Sequence, residues 1–286
     1  KGLYRCVLRR CVKHSWRLSY AAAQRERYFR AHVAPALTAW IVPSLHRGRQ
    51  LALCFPEADI HSADLPLPLD AFTPRATDRG GYFVFVGSLS TSKGIWQILD
   101  AMEEMAEKEM RVAFAGDGPE REALLEEVRR RKLEDRVIYA GILKMPLLSS
   151  LIAGCEALLV PAMCEEIGPV SMLEALAMGK PVIASSAGVL GERVLDGMNG
   201  KIIRAGNVQQ LTVAMDEICA MGDEEYTAMC QRAAEDARDR YHPEAYARRI
   251  LEILALIRSV TGVTPRIVTG EEEACLSFLG AAELAA

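Results

Sequence analysis

The sequence predicts an α/β fold: one complete, doubly wound parallel-sheet domain accompanied by a partial second α/β domain. Three observations carry this expectation. From residue 82 onward, six short β-branched or aromatic runs recur at 82–86, 111–115, 136–140, 157–161, 181–185 and 201–204. Segments with helical apolar spacing separate most of them, such as Trp96, Leu99 and Met102, or Ala123, Leu124 and Val128. Strands alternating with helices form βαβ units, whose parallel sheet is covered on both faces. The strand-to-helix junctions are also rich in glycine, hydroxyl and charged residues, and open parallel sheets bind ligands at that edge.

In chain order, residues 1–60 carry a long helical stretch, a short strand candidate (38–42) and a helix beginning near Ser44. This is a fragment of an α/β domain. Leu65-Pro-Leu-Pro-Leu-Asp-Ala-Phe-Thr-Pro reads as an extended crossing segment, followed by the polar linker 75–81. The six strand candidates then complete one domain near residue 221. Two helices follow at about 223–240 and 243–259, separated at His242-Pro243, because proline disfavours helix in the residue before it. The expected divisions are 1–75 for the partial domain and crossing segment, 76–240 for the complete domain, 241–262 for a C-terminal helix and 263–286 for a tail.

Composition narrows the function classes. Half of the 286 residues are hydrophobic, which is ample for a packed core, and the formal charge of −4 argues against a nucleic-acid binder. No apolar run approaches the roughly 20 residues that span a bilayer. The eight cysteines (6, 11, 54, 155, 164, 219, 230 and 275) form no Cys-x-x-Cys pair and are expected to be reduced and mostly buried, as in a cytoplasmic protein. The five histidines show no ligand spacing, so no metal site is expected. The basic start (Lys1, Arg5, Arg9, Arg10, Lys13, Arg17) interleaves with Leu3, Leu8, Val12 and Trp16. It reads as a solvated helix face or as peripheral contact with the inner face of a membrane.

Four junction features bear on chemistry. The first is Val86-Gly87-Ser88-Leu89-Ser90-Thr91-Ser92-Lys93-Gly94, a glycine turn with hydroxyls and one lysine ahead of a helix. It suits a phosphate, met by backbone N–H groups and the Lys93 charge, although an ordinary βα turn has the same composition. The second, Gly116-Asp117-Gly118-Pro119-Glu120, lacks the third glycine of a dinucleotide fingerprint and reads as a tight turn near a ligand. The third is the pair Glu166 and Glu174, which flank the Gly168-Pro169 corner at a helix start near Val170 and Ser171. Such a start favours phosphate, and ionised carboxylates beside it suit sugar and ribose hydroxyls. On residues alone, a solvated Glu166 and a locally paired Glu174 stand as the alternative. Fourth, Cys164 lacks a histidine partner and reads as core or loop packing, His242 as a turn residue, and the charges of 120–136 as a solvated helix face.

Taken together, these junctions resemble the retaining glycosyltransferases of family four, the glycosyl transferases group 1, with the two-domain, Rossmann-like GT-B architecture. The family's Val-Gly-Arg-Leu-x-x-x-Lys-Gly is matched by Val86-Gly87-Ser88-Leu89 to Lys93-Gly94, and its Gly-x-Gly-Pro by Gly116 to Pro119. Its Arg-Val-x-x-x-Gly is matched by Arg136-Val137 to Gly141, and its Glu-x7-Glu by Glu166 to Glu174. The stretches Glu174-Ala-Leu-Ala-Met-Gly-Lys-Pro-Val-Ile, Gly188 to Glu192, Asn199-Gly200 and Leu69 to Pro74 also fit.

The resemblance implies that Glu166, the candidate catalytic residue, binds hydroxyls of a donor sugar and that Glu174 binds the ribose. Lys93 would neutralise the diphosphate with backbone N–H groups around Gly87 and at Pro169, Val170 and Ser171; Ser88, Gly118 and Gly168 would line the donor. The backbone near Leu143 would meet the base of a UDP- or GDP-sugar. No metal or cofactor is implied, and the acceptor is not indicated. Ser88 replaces the family's arginine, Pro169 a common glycine, and Val189 the second glycine of Gly-Gly. A non-catalytic nucleotide-sugar-binding protein and a nucleotide-sugar epimerase are the competing expectations.

Overall fold

The computed structural model describes residues 16–72, 79–166 and 168–262, and the chain forms two compact units. The first takes in residues 1–40, 57–60 and 251–286. Its described part opens with α1 (Trp16–Tyr28), which passes through a π-helical turn (Phe29–Val33) into a 3-10 turn (Ala34–Ala36). Pro35 within that last turn removes a backbone donor and stops the helix. Phe29 packs edge-on to Trp40, with ring centroids 5.7 Å apart.

The second unit takes in residues 41–56 and 61–250, so it includes a segment assigned by sequence to the partial domain. The short strands β1 (Trp40–Val42) and β2 (Ile60–Ser62) form a two-stranded sheet. Between them lies α2 (Leu45–Cys54), whose start is capped by Ser44: its hydroxyl accepts a hydrogen bond from Arg47 N–H at 3.1 Å.

The main sheet holds β3 (Tyr82–Val86), β4 (Arg111–Ala115), β5 (Val137–Gly141), β6 (Leu158–Val160), β7 (Val182–Ser185) and β8 (Gly200–Ile203). All pairs are parallel, in the order β5-β4-β3-β6-β7-β8. The strand order reverses where β3 meets β6, which opens a crevice at the carboxyl ends of those two strands. The first two strands coincide with the sequence expectation, and the others shift by a residue or two at their ends. Pro181 shows why: it has no N–H for the ladder, although its carbonyl still accepts from Leu158 at 3.0 Å.

Alternate side chains divide the core in two. Phe83, Phe85, Val112, Phe114 and Leu159 point to one cluster, with Ile98, Leu99 and Met102 of α3 (Ile95–Glu104) and Leu211, Met215 and Ile218 of the helix Val208–Ala220. Val84, Ala113, Leu158 and Val182 point to the other, with Met172, Leu173 and Leu176 of the helix Val170–Ala177. Both faces of β3, β4, β6 and β7 are therefore apolar, which accounts for continuous hydrophobic runs in place of alternation.

The remaining helices are α4 (Arg121–Arg130), α5 (Leu147–Ala153), α6 (Val170–Ala177), α7 (Leu190–Arg193), α8 (Val208–Ala220), α9 (Asp223–Tyr241) and α10 (Pro243–Thr261). Leu124 and Val128 of α4 are buried, whereas Ala123 is exposed. His242 caps α9, and Pro243 opens the next helix. The crossing segment belongs to the second unit and packs within it through buried Leu67 and Phe72, and Leu67 N–H donates to Tyr241 O at 2.8 Å.

Five cysteines are described, all free. Cys155 and Cys230 are buried, but Cys54 and Cys164 are exposed, which corrects the expectation of mostly buried thiols. Cys54 ends α2, and Cys164 lies on the loop after β6. The basic start up to residue 15 and the tail from residue 263 lie outside the described residues. Among those described, no helix is long and apolar enough to cross a membrane, and no three metal-ligating side chains cluster.

Candidate donor site at the sheet's switch point

The loops after β3 and β6 meet at the point where strand order reverses. Their backbones are stitched together: Met163 N–H donates to Ser92 O at 2.8 Å, and a Cβ on Gly94 would fall 2.1 Å from Pro161 O. Gly94 is left-handed (φ 81°), so the turn into α3 needs glycine for both its conformation and its space. Ser185 Oγ, fully buried, donates to Ala162 O at 2.7 Å and holds the exit of β6.

This stitching places Lys93 Nζ 2.6 Å from Glu166 Oε1, with the two side chains 34% and 11% exposed. Glu166 is therefore a partnered, largely covered carboxylate and not a solvated one. Its backbone is pinned as well, since Val189 N–H donates to Glu166 O at 3.2 Å.

Glu174 contrasts with it. It sits more than a turn into α6, half-buried, with no hydrogen-bonding or ionic partner among the described residues. Burial pushes its carboxyl above the usual range. At the helix start, Pro169 is the N-cap and has no N–H, and Met172 N–H already closes onto Pro169 O at 3.1 Å. The donors left for an anion are thus the N–H groups of Val170 and Ser171. The expectation that residue 169 supplies one is corrected.

The loop after β4 takes up donors on the other side. Gly87 N–H donates to Ala115 O at 3.0 Å and Leu89 N–H to Asp117 O at 3.0 Å. Gly87's own N–H is therefore committed to the end of β4, and of the N–H groups expected around Gly87 that of Ser88 is left without a partner among the described residues. Glycine at 116 and 118 is a matter of space. A Cβ on Gly116 would lie 1.9 Å from Gly87 O, and one on Gly118 2.5 Å from Leu89 N and O. Gly118 thus shapes the loop against Leu89. Leu143 is half-buried in the loop after β5, at the far edge of the sheet from β6.

Three residues outside the sequence-derived set shape this edge. Glu120 accepts from Thr91 N–H at 2.8 Å, Thr91 Oγ1 at 2.7 Å and Trp96 Nε1 at 2.8 Å, and these bonds hold its carboxyl below the usual range. Its place directly after Gly-x-Gly-Pro was the available signal. Arg193 is fully buried, with Nη1 2.9 Å from the position of a Cβ on Gly168. Glu165 turns to α2, where Gln50 Nε2 donates to it and His46 Nε2 stands 3.5 Å away. Cys164 is a loop residue, its Sγ 3.7 Å from Ser92 O. A separate cavity of about 390 Å³ is lined by Ser44, Asp64, Glu192, Arg240 and Tyr246 among others, and none of the expected site residues lines it.

The family model described as glycosyl transferases group 1 matches residues 71–240. The chain belongs to this family. Within it, the chain is 30% identical over 172 residues to the 2-deoxystreptamine N-acetyl-D-glucosaminyltransferase of Streptomyces fradiae, covering 58% of this chain and 40% of that one. An uncharacterized glycosyltransferase of Methanocaldococcus jannaschii is 26% identical over 181 residues, 63% and 46% of the two chains. Among solved structures, Anabaena HepE in complex with UDP and glucose superimposes with a TM-score of 0.66 at 20% identity, covering 77% of this chain and 63% of HepE. Staphylococcus aureus TarM gives 0.68 at 15% identity, covering 77% and 44%. The fold is thus that of GT-B glycosyltransferases. The chain spans less than half the length of these two curated relatives.

Proposed function

We propose that this chain is the donor-binding part of a retaining glycosyltransferase that takes a nucleotide-diphosphate sugar, UDP- or GDP-linked. The observation that carries the reading is the Lys93–Glu166 contact across the switch point, beside two free helix N–H groups and an unpartnered Glu174. A cation and free amides suit the diphosphate, and carboxylates on either side suit hydroxyls. Lys93 would leave Glu166 for the diphosphate, freeing the carboxylate to accept from the donor sugar, while Glu174 accepts from the ribose. HepE, of the same fold and solved with UDP and glucose bound, supports a donor of this class.

In this reading the protein supplies positioning and charge stabilisation, the carboxylates hold the donor without serving as an acid and base pair, and no metal is called for. The leaving diphosphate takes the acceptor's proton on the same sugar face, and the product enters glycan or polysaccharide synthesis. In the full-length enzyme, Glu166→Ala and Glu174→Ala should each abolish sugar transfer while leaving the fold intact by circular dichroism. Transfer at the unsubstituted rate by both variants sinks the proposal.

A further inference from the structure

The consecutive carboxylates Glu165 and Glu166 engage different partners. Glu166 meets Lys93, and Glu165 meets α2, through the Gln50 amide and His46. The Gln50 amide is itself oriented, because Arg47 Nη1 donates to Gln50 Oε1 at 2.8 Å and leaves the NH₂ end for Glu165. On the other side of the loop, Arg193 lies under Gly168 and donates through Nη2 to Pro43 O at 3.1 Å. One short segment, Pro43 to Gln50, therefore reaches the glutamate loop on both sides of Glu166.

Neither bridge is a good device for stability alone. The Glu165 side chain is 60% exposed, and ion pairs at such exposure contribute little to folding. Arg193 is 0% exposed and has Asp64 3.5 Å from Nη2, yet its Nε and Nη1 have no hydrogen-bond partner among the described residues, an arrangement that costs stability. Both make sense if the position of the loop is what matters. A binding carboxylate has to be held within about 0.5 Å of its productive place, by neighbours that are themselves fixed.

We propose that the segment Pro43–Gln50 positions the Glu166 carboxylate, with Glu165 and Arg193 as the positioning residues through which it acts. The inference rests on the reading that Glu166 holds the donor sugar. It predicts that changes on α2 alter how the sugar is bound and leave the nucleotide alone.

The test is calorimetric titration of the intact chain with UDP and UDP-glucose, and with GDP and GDP-mannose. The ratio of the two dissociation constants within the tighter pair isolates the sugar's contribution. Glu165→Ala and Gln50→Ala should weaken the nucleotide sugar roughly three- to tenfold and leave the nucleotide diphosphate and the Tm unchanged. The exchange Gln50→Glu with Glu165→Gln restores the hydrogen bond with donor and acceptor swapped, and Arg47 can still donate to residue 50. That double variant should recover the affinity for the nucleotide sugar.

If Glu165→Ala binds both ligands as the unsubstituted chain does, while Glu166→Ala loses the sugar's contribution, the inference is overturned and the donor reading stands. Equal weakening of both ligands by Glu165→Ala also overturns it, by showing a general structural role. If Glu166→Ala keeps the sugar's contribution, or if the intact chain binds none of the four ligands, the donor reading falls and takes the inference with it.

Discussion

The two ends of β6 carry carboxylates in opposite circumstances. Glu156, just before the strand, is 2% exposed and fully engaged: it accepts from Arg79 Nε at 2.8 Å and from Gly81 N–H at 3.1 Å. Arg79 in turn donates to Met221 O at 2.9 Å and Ile218 O at 3.0 Å, and stacks 4.4 Å over the Tyr226 ring. At the other end, Glu166 has a single lysine and Glu174 has no partner. Partner satisfaction thus separates a carboxylate that holds the fold from those left open for a ligand. Sequence alone ranks Glu156 and Glu166 no differently, since both are glutamates flanking one short apolar strand.

This contrast can be broken experimentally. Glu156→Ala removes the buried carboxylate partner of Arg79 and leaves Gly81 N–H unpaired, and should cost about 2–3 kcal/mol of unfolding free energy, read by denaturant titration. Glu166→Ala should do the reverse, changing unfolding by less than about 1 kcal/mol while lowering sugar transfer about 100-fold or more. A large stability loss in the second variant would erase the distinction.

An intermediate effect is expected at Gly116. Alanine there places a Cβ 1.9 Å from Gly87 O at a φ of +144°, and about 2 kcal/mol or more should be lost as the β3 and β4 loops part. Because Gly87 and Leu89 lend their N–H groups to that contact, binding of the nucleotide diphosphate should weaken as well, measurable by calorimetry.

The smallest effect concerns pH. Burial raises the Glu174 carboxyl, so the folded state holds its proton more tightly than the unfolded state does. Stability on its account falls as pH rises through the carboxylate range, and the loss is complete above the raised value. Glu174→Gln should therefore melt higher than the unsubstituted chain near pH 7, with the gain fading toward about pH 4. A melting difference independent of pH would show that the carboxylate is not strained by burial.

Much of this was legible in the sequence because the relevant physics is local. Tyr82–Val86 and Arg111–Ala115 stand out as strands since both of their faces are apolar, and Ser44 marks the start of α2 through its cap. The junction motifs likewise placed Lys93 and Glu166 at strand ends. Their direct contact was not readable, since it spans 73 residues. The same holds for Glu165 with Gln50, 115 residues apart, and Arg193 with Pro43, 150 apart. No local pattern marks Arg193, and only packing shows it buried beneath Gly168. Which backbone N–H groups around Gly87 and Pro169 stay open was not readable for a related reason. An N–H group is open to a ligand only if no neighbouring strand has taken it, and proline has none to offer.

The Lys93–Glu166 contact also bears on how a ligand would arrive. With a lysine and a glutamate cancelling each other, and serine where the family carries arginine, Lys93 projects little field of its own into solvent. Long-range steering of a polyanion needs an unbalanced charge, and its signature is an association rate that drops with added salt. Here the attraction would begin only at contact, when the lysine changes partner, so association with the donor should be slow for a charged ligand and nearly indifferent to ionic strength.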